Sequence, residues 1–230
     1  MSYTPYTSIG GIGGMYEYEN ATVMGIDQVN TYHPCWTAGV VAGVLDGWSF
    51  LAGVSGTFTA VANAGGGQVQ ITTSAPHGMT AGQVVTITSA SDAGYRPPNP
   101  QIFVIQSVGA STFNVVATFT STATGTYTRG ACLTAGPRAA GKYELLWSLT
   151  AQAASGTNKQ YKFEPCQNAV NVDKGAAGQL MSSTGPQCCS GGAFVTVSAG
   201  DVFTLLCNNQ TDTTDITITD LNYRLKRYSQ

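Results

Sequence analysis

The sequence predicts an all-β protein, and three observations carry that prediction. Apolar residues recur with period two in almost every readable segment. No stretch of ten residues keeps the 3.6-residue period of a helix. Charged residues make up only 10% of the chain while Gly, Ala, Ser and Thr dominate, so many short antiparallel strands with a neutral, hydroxyl-rich surface are expected.

Taken in order, the elements begin with "MSYTPYTSIGGIGGMYEYEN", which is rich in Gly and Tyr and has neither period. Residues 1–21 therefore read as an extended N-terminal arm. Tyr3, Tyr6, Ile9, Ile12, Tyr16 and Tyr18 give that arm enough apolar area to dock on a neighbour. Burying each aromatic would favour docking by roughly 1.5 to 3 kcal/mol before ordering costs. Strands are then expected at 48–51, 56–61, 69–73, 84–88, 103–108, 112–119, 161–163, 194–197 and 202–207. In "KYELLWSLT", Tyr143, Leu145, Trp147 and Leu149 share one face and Lys142, Glu144, Ser148 and Thr150 the other. That alternation is a half-buried antiparallel strand. "TDITITDLNYRLKRY" repeats the device near the C-terminus, with Leu221, Tyr223 and Leu225 alternating with Asn222, Arg224 and Lys226.

Two composition breaks, Gly65-Gly66-Gly67 and the stretch 122–136, bracket a compact unit. It reads as a small barrel-like insert at 65–129, with "SVGAST" as a hairpin turn. Insertion into a loop of a larger domain costs little when the ends of the insert meet. Residues 22–64 and 130–230 would then form one discontinuous domain, pairing strands across the insertion.

Composition also narrows function. A formal net charge of −2, with no basic run longer than Arg224-Leu225-Lys226-Arg227, leaves no footprint for nucleic acid. No stretch approaches the roughly 18 apolar residues of a membrane span, and the N-terminus lacks the regions of a secretory signal, which predicts folding in a cytosol. The six cysteines have no C-x-x-C spacing. Cys207 alternates with Phe203 and Leu205 as a small core hydrophobe. The Cys188-Cys189 pair in "TGPQCCSGG" reads as a structural loop pair, with a disulfide or a metal role as the alternatives.

Catalytic chemistry has little to work with. Only His33 and His77 exist; His33 lies beside Cys35 in "NTYHPCW", where Pro34 marks a turn, and His77 sits in the turn "APHGM". Two separated histidines and no closed Cys/His quartet do not make a structural zinc site. Asp212, Asp215 and Asp220 could offer oxygens to calcium, but "NNQTDTTD" lacks EF-hand spacing and reads as a solvated turn. There is no Walker loop or dinucleotide fingerprint. No catalytic residue, metal or cofactor is expected.

Two resemblances sharpen this picture. "APHGMTAGQVVTIT" followed by "VIQSVGASTFNVV" is similar to small β modules found in tailed-bacteriophage structural proteins, with Gln83 where those modules carry an acidic residue. The flanks, in "GVLDGWSFLAG", "AGKYELLWSLTAQ", "VTVSAGDVFTLLCNN" and "DITITDLNYRLKRY", resemble the jelly roll of the tumour necrosis factor and complement type. The fold these imply is an antiparallel jelly-roll sandwich interrupted by a small β-barrel-like domain. The function they imply is a non-enzymatic virion protein assembled in the host cytoplasm: a capsid decoration or head-fibre homotrimer, its arm bound to the major capsid protein. The alternative is a tail or fibre adsorption protein that binds host glycan, with Tyr95 in "SDAGYRPPNP" as a stacking ring.

Overall fold

The computed structural model describes residues 12–18, 22–24, 32–35, 41–45, 47–95, 102–168 and 170–229. Five strands come first: β1 (Ile12–Tyr18), β2 (Thr22–Met24), β3 (Tyr32–Pro34), β4 (Val41–Leu45) and β5 (Trp48–Leu51). Six more follow as β6 (Val54–Gly65), β7 (Gln68–Thr73), β8 (Val84–Ala90), β9 (Ile102–Val108), β10 (Thr112–Val116) and β11 (Gly125–Arg129). The rest are β12 (Cys132–Ala135), β13 (Gly141–Ala153), β14 (Lys159–Gln167) and β15 (Val170–Asn171), then β16 (Ala177–Met181), β17 (Gln187–Val197), β18 (Val202–Asn209) and β19 (Ile216–Ser229). Among the described residues, three short 3₁₀ turns are the only helical elements.

The strands build an all-β, jelly-roll-like sandwich carrying a closed barrel. One sheet runs β17-β13-β19-β1-β4, with β2 also on β19; the other runs β15-β14-β18-β12-β5, with β16 on β14 and β3 on β18. Every strand pairing among the described residues is antiparallel. Long alternating strands set the register: Tyr143, Leu145, Trp147 and Leu149 of β13 face inward beside Leu221, Tyr223 and Leu225 of β19. Phe163, Phe203, Leu205 and Cys207 meet them from the second sheet. Trp48 stands edge-on to both Tyr143 and Phe203, with ring centroids 5.5 and 5.7 Å apart. Such pairs add about 0.5–1.5 kcal/mol each beyond the area they bury.

The barrel closes in the order β10-β7-β6-β11-β8-β9. Closure removes the free edges that six short strands would otherwise expose. Its core gathers Phe58, Val69, Ile71, Val85, Ile87, Ile105, Phe113 and Tyr127. Gly56 is needed here, because a Cβ at that position would lie 2.6 Å from the Tyr127 hydroxyl. The barrel begins at Val54, eleven residues before the expected boundary at 65. A barrel can close only if its first strand meets its last, and Val54 pairs with Arg129 while Phe58 pairs with Gly125. Gly65, Gly66 and Gly67 are accordingly the β6–β7 hairpin turn, with φ of 79°, 60° and 73°, values that glycine adopts without steric cost.

A second difference concerns the N-terminus. Residues 12–18 do not form an arm but a strand inside the six-stranded sheet, paired with β19 on one side and β4 on the other. Backbone pairing with two neighbours holds a segment in a sheet whatever its side-chain period, so the Gly-rich pattern concealed it. Barrel and sandwich meet at the two chain crossings. There the buried guanidinium of Arg129 donates to the carbonyls of Ala52 and Gly130, one on each crossing strand.

Candidate functional site

The residues singled out by the sequence go to different places. Of the six arm residues, Ile12, Tyr16 and Tyr18 lie within β1, while Tyr3, Tyr6 and Ile9 fall outside the described residues. Tyr95 does not present a ring to solvent. It is 2% exposed, and its hydroxyl accepts from the N–H groups of Thr120 and Ser121 and donates to the Ser121 carbonyl. Asp92 completes this latch by accepting from the Ser121 and Thr120 hydroxyls and the Gly94 N–H, bonds that hold its carboxyl below the usual range. The proposed sugar-stacking tyrosine is thus a buried fastener between the β8 and β10 ends of the barrel. Its sequence neighbours, in "SDAGYRPPNP", gave no sign of the partner 26 residues away.

His77 is likewise committed. Its Nδ1 accepts from the Met79 N–H at 2.9 Å, which leaves Nε2 to donate to the Thr112 carbonyl at 3.0 Å, and its ring meets Phe113 edge-on. It ties the loop before β8 to β10 across the barrel. His33 and Cys207 are register partners in β3 and β18. Cys35 is buried in the sandwich core, where burial pushes its thiol well up, away from the thiolate a nucleophile needs. Cys188 and Cys189 are not a loop pair: they lie in β17, paired with Thr150 and Leu149 of β13, and alternation sends Cys188 to solvent and Cys189 inward.

The acidic turn is also satisfied from within. Asp212 accepts from Lys159 Nζ at 2.5 Å through one oxygen and from Asn209 and the Thr214 N–H through the other. Lys159, followed by the Thr214 N–H, lowers its carboxyl strongly. Tyr161 closes the same turn by donating to the carbonyls of Thr214 and Asp215. Among the described residues no group of three metal-ligating side chains converges.

The surface feature that sequence reasoning missed is the outward face of the six-stranded sheet. Gly191 and Gly192 leave the centre of β17 without side chains, and a groove of about 330 Å³ opens beside them. Leu146, Ser148, Ser190, Asn222 and Arg224 line it, with Trp147 beneath. Glycine is required at 191, where a Cβ would sit 2.4 Å from the Gly175 carbonyl and 2.8 Å from the Trp147 indole, whose N–H donates to that same carbonyl. Above the groove, Phe194 and Tyr228 are 72% and 71% exposed and pack edge-on at 5.5 Å. Their alternation with core residues was legible; that β13 would bring β17 and β19 together from 34 residues apart was not.

No protein-family model and no curated protein matches this chain. Solved structures similar to it are remote. They include latent PorU from Porphyromonas gingivalis (7% identity, TM-score 0.30, covering 96% of this chain and 25% of that one). The insecticidal delta-endotoxin Cry8Ea1 from Bacillus thuringiensis is 7% identical at a TM-score of 0.26, over 93% of this chain and 52% of its own. An uncharacterized Listeria monocytogenes protein is 9% identical at 0.25, over 96% and 30%. The chain spans between a quarter and about half the length of these structures. Likenesses of this size assign no family and carry no function.

Proposed function

We propose that this protein is a non-enzymatic structural component of a tailed-bacteriophage virion, a capsid decoration protein that binds the major capsid protein as a homotrimer. The observation that carries the reading is a coincidence of pattern and architecture. The phage-module pattern "APHGMTAGQVVTIT…VIQSVGASTFNVV" falls entirely within the closed barrel, and the jelly-roll pattern falls on the two-sheet sandwich around it. His77, the residue that opens that pattern, serves as barrel fastening, which fits a scaffold role. Association would rest on buried area and on three attachment points per trimer, which raise avidity far above that of a single one.

Because β1 belongs to the sheet, attachment is assigned to the residues before Ile12, with Tyr3, Tyr6 and Ile9 as its apolar anchors. Deleting residues 1–11 should leave a folded trimer by light scattering and remove co-sedimentation with capsids. Full binding by the truncated protein, or a monomer at micromolar concentration before truncation, would overturn the reading. Tyr95 does not serve as the stacking ring of the adsorption alternative, since a ring buried under its own loop offers no stacking face.

A further inference from the structure

The outward face of the six-stranded sheet combines features that a scaffold does not need. We infer that it is a binding site for an acidic oligosaccharide, one bearing carboxylate or sulfate groups, and this does not depend on how the protein attaches to a capsid. Three observations converge. First, the groove at Gly191 and Gly192 has the volume of a small-ligand site and an amphipathic lining: the Leu146 side chain and the Trp147 indole below, Ser148, Ser190, Asn222 and Arg224 around. Hydroxyls and planar amide or guanidinium groups are what the in-plane hydroxyls of a sugar ring bond to.

Second, the aromatic platform stands one pleat further on. Phe194 follows Gly192 by two residues on the same face of β17, roughly 7 Å along the strand. Its ring leans on Tyr228 across β13 and keeps most of its surface in water. An exposed aromatic next to a polar groove suits a pyranose, which offers an apolar C–H face and a polar rim, better than it suits a protein anchor, which needs a deep desolvated pocket. Spacing of groove and platform fits adjacent residues of one glycan chain.

Third, an exposed guanidinium stands at the groove. The chain has only 10 Lys and Arg, yet Lys142, Arg224 and Lys226 all face outward on neighbouring rows of β13 and β19. Glu144 stands opposite Lys226, Asp220 lies two rows beyond Arg224, and the β1–β19 register sets Glu17 beside Asn222, so Arg224 is the cation that the groove itself presents. Arg224 itself lines the groove and is exposed. A guanidinium so placed can bind a carboxylate or sulfate in two-pronged fashion.

The test titrates the full chain with three tetrasaccharides: oligogalacturonate for carboxylate, a heparin-derived fragment for sulfate, and maltotetraose as the neutral control. Calorimetry and the intrinsic indole fluorescence are the readouts. At least one acidic tetrasaccharide should bind, at least tenfold more tightly than maltotetraose, and which one binds identifies the acidic group. Arg224→Gln and Phe194→Ala, both at exposed positions, should each weaken that binding about tenfold or more with an unchanged circular dichroism spectrum. Lys174→Gln, an exposed cation elsewhere, should change nothing. Absence of binding by both acidic probes, equal affinity for maltotetraose, or equal weakening by Lys174→Gln would each overturn the inference. So would dissociation of the trimer by Arg224→Gln or Phe194→Ala, which would make this face a contact between protein chains.

Discussion

Barrel and sandwich solve the same problem, burying the inner faces of antiparallel strands, by different means. The sandwich relies on size: long strands, three fully buried tyrosines (Tyr143, Tyr161 and Tyr223), and Trp48 and Trp147 packed edge-on or tilted against aromatic neighbours. The barrel has a smaller core, built mostly of Val and Ile with Phe58, Phe113 and Tyr127, and its loops are fastened by polar latches at His77, Asp92 and Tyr95. The sandwich fastens its 209–215 turn in the same way, through Asp212 and Tyr161. A small core leans more heavily on such bonds, because it has less buried area to fix its strands.

Several substitutions would break or sharpen that comparison. Trp48→Ala in the sandwich and Phe113→Ala in the barrel should each cost about 3–5 kcal/mol in their own unit. Trp48 and Trp147 lie in the sandwich core and no tryptophan falls within residues 54–129, so indole fluorescence carries no signal from inside the barrel. In urea, Phe113→Ala should therefore shift a circular dichroism transition and leave the fluorescence midpoint nearly in place. A matching shift in both signals would show that the two units unfold as one. Overpacking should also differ between them. Gly191→Ala drives a Cβ onto a backbone carbonyl and an indole and should cost about 2–3 kcal/mol, whereas Gly56→Ala meets the outer end of a tyrosine ring and should cost about 1–2 kcal/mol.

A latch should cost less than a core residue. His77→Ala removes one acceptor and one donor from buried backbone groups and should lower barrel stability by about 1–2 kcal/mol, with the sandwich midpoint unmoved. The smallest expected effect is on acid sensitivity, and it is common to both units. Asp212 and Asp92 are both held below the usual carboxylate range in the folded state. Their stabilisation is therefore complete above the unfolded value of about 3.9 and is lost as pH falls from there toward the folded values. Asp212→Asn should flatten the decline of sandwich stability between pH 5 and 2, and Asp92→Asn that of the barrel. A decline as steep in either variant as in the wild type would show that other carboxylates govern the acid limb.

Much of this architecture was legible residue by residue. The alternation in "KYELLWSLT" and "NYRLKRY" fixed which side chains of β13 and β19 face inward, and every one of Tyr143, Leu145, Leu221 and Tyr223 is in the core. Other elements were hidden for identifiable reasons. β18 is buried on both faces from Val202 to Asn209, so Thr204 and Asn208, which look like solvent positions in the sequence, are covered by the rest of the fold. β1 was masked by glycines, and the short β16 ("AGQLM") and the Cys188–Ser190 part of β17 carry too little pattern of their own and form strands only because β14 and β13 supply partners. The groove was invisible because its lining comes from three strands that are distant in sequence.

The sequence by itself determined the fold class, the inward set of each long strand and the existence of a separate inserted unit, because side-chain period and turn chemistry are local properties. Only the tertiary structure decided where the barrel closes, that residues 12–18 join a sheet, that His77 and Tyr95 are fasteners, and that Gly192, Arg224 and Phe194 share one face. Those outcomes depend on which strand pairs with which, and that choice is made by long-range burial and backbone hydrogen bonding that no local window contains.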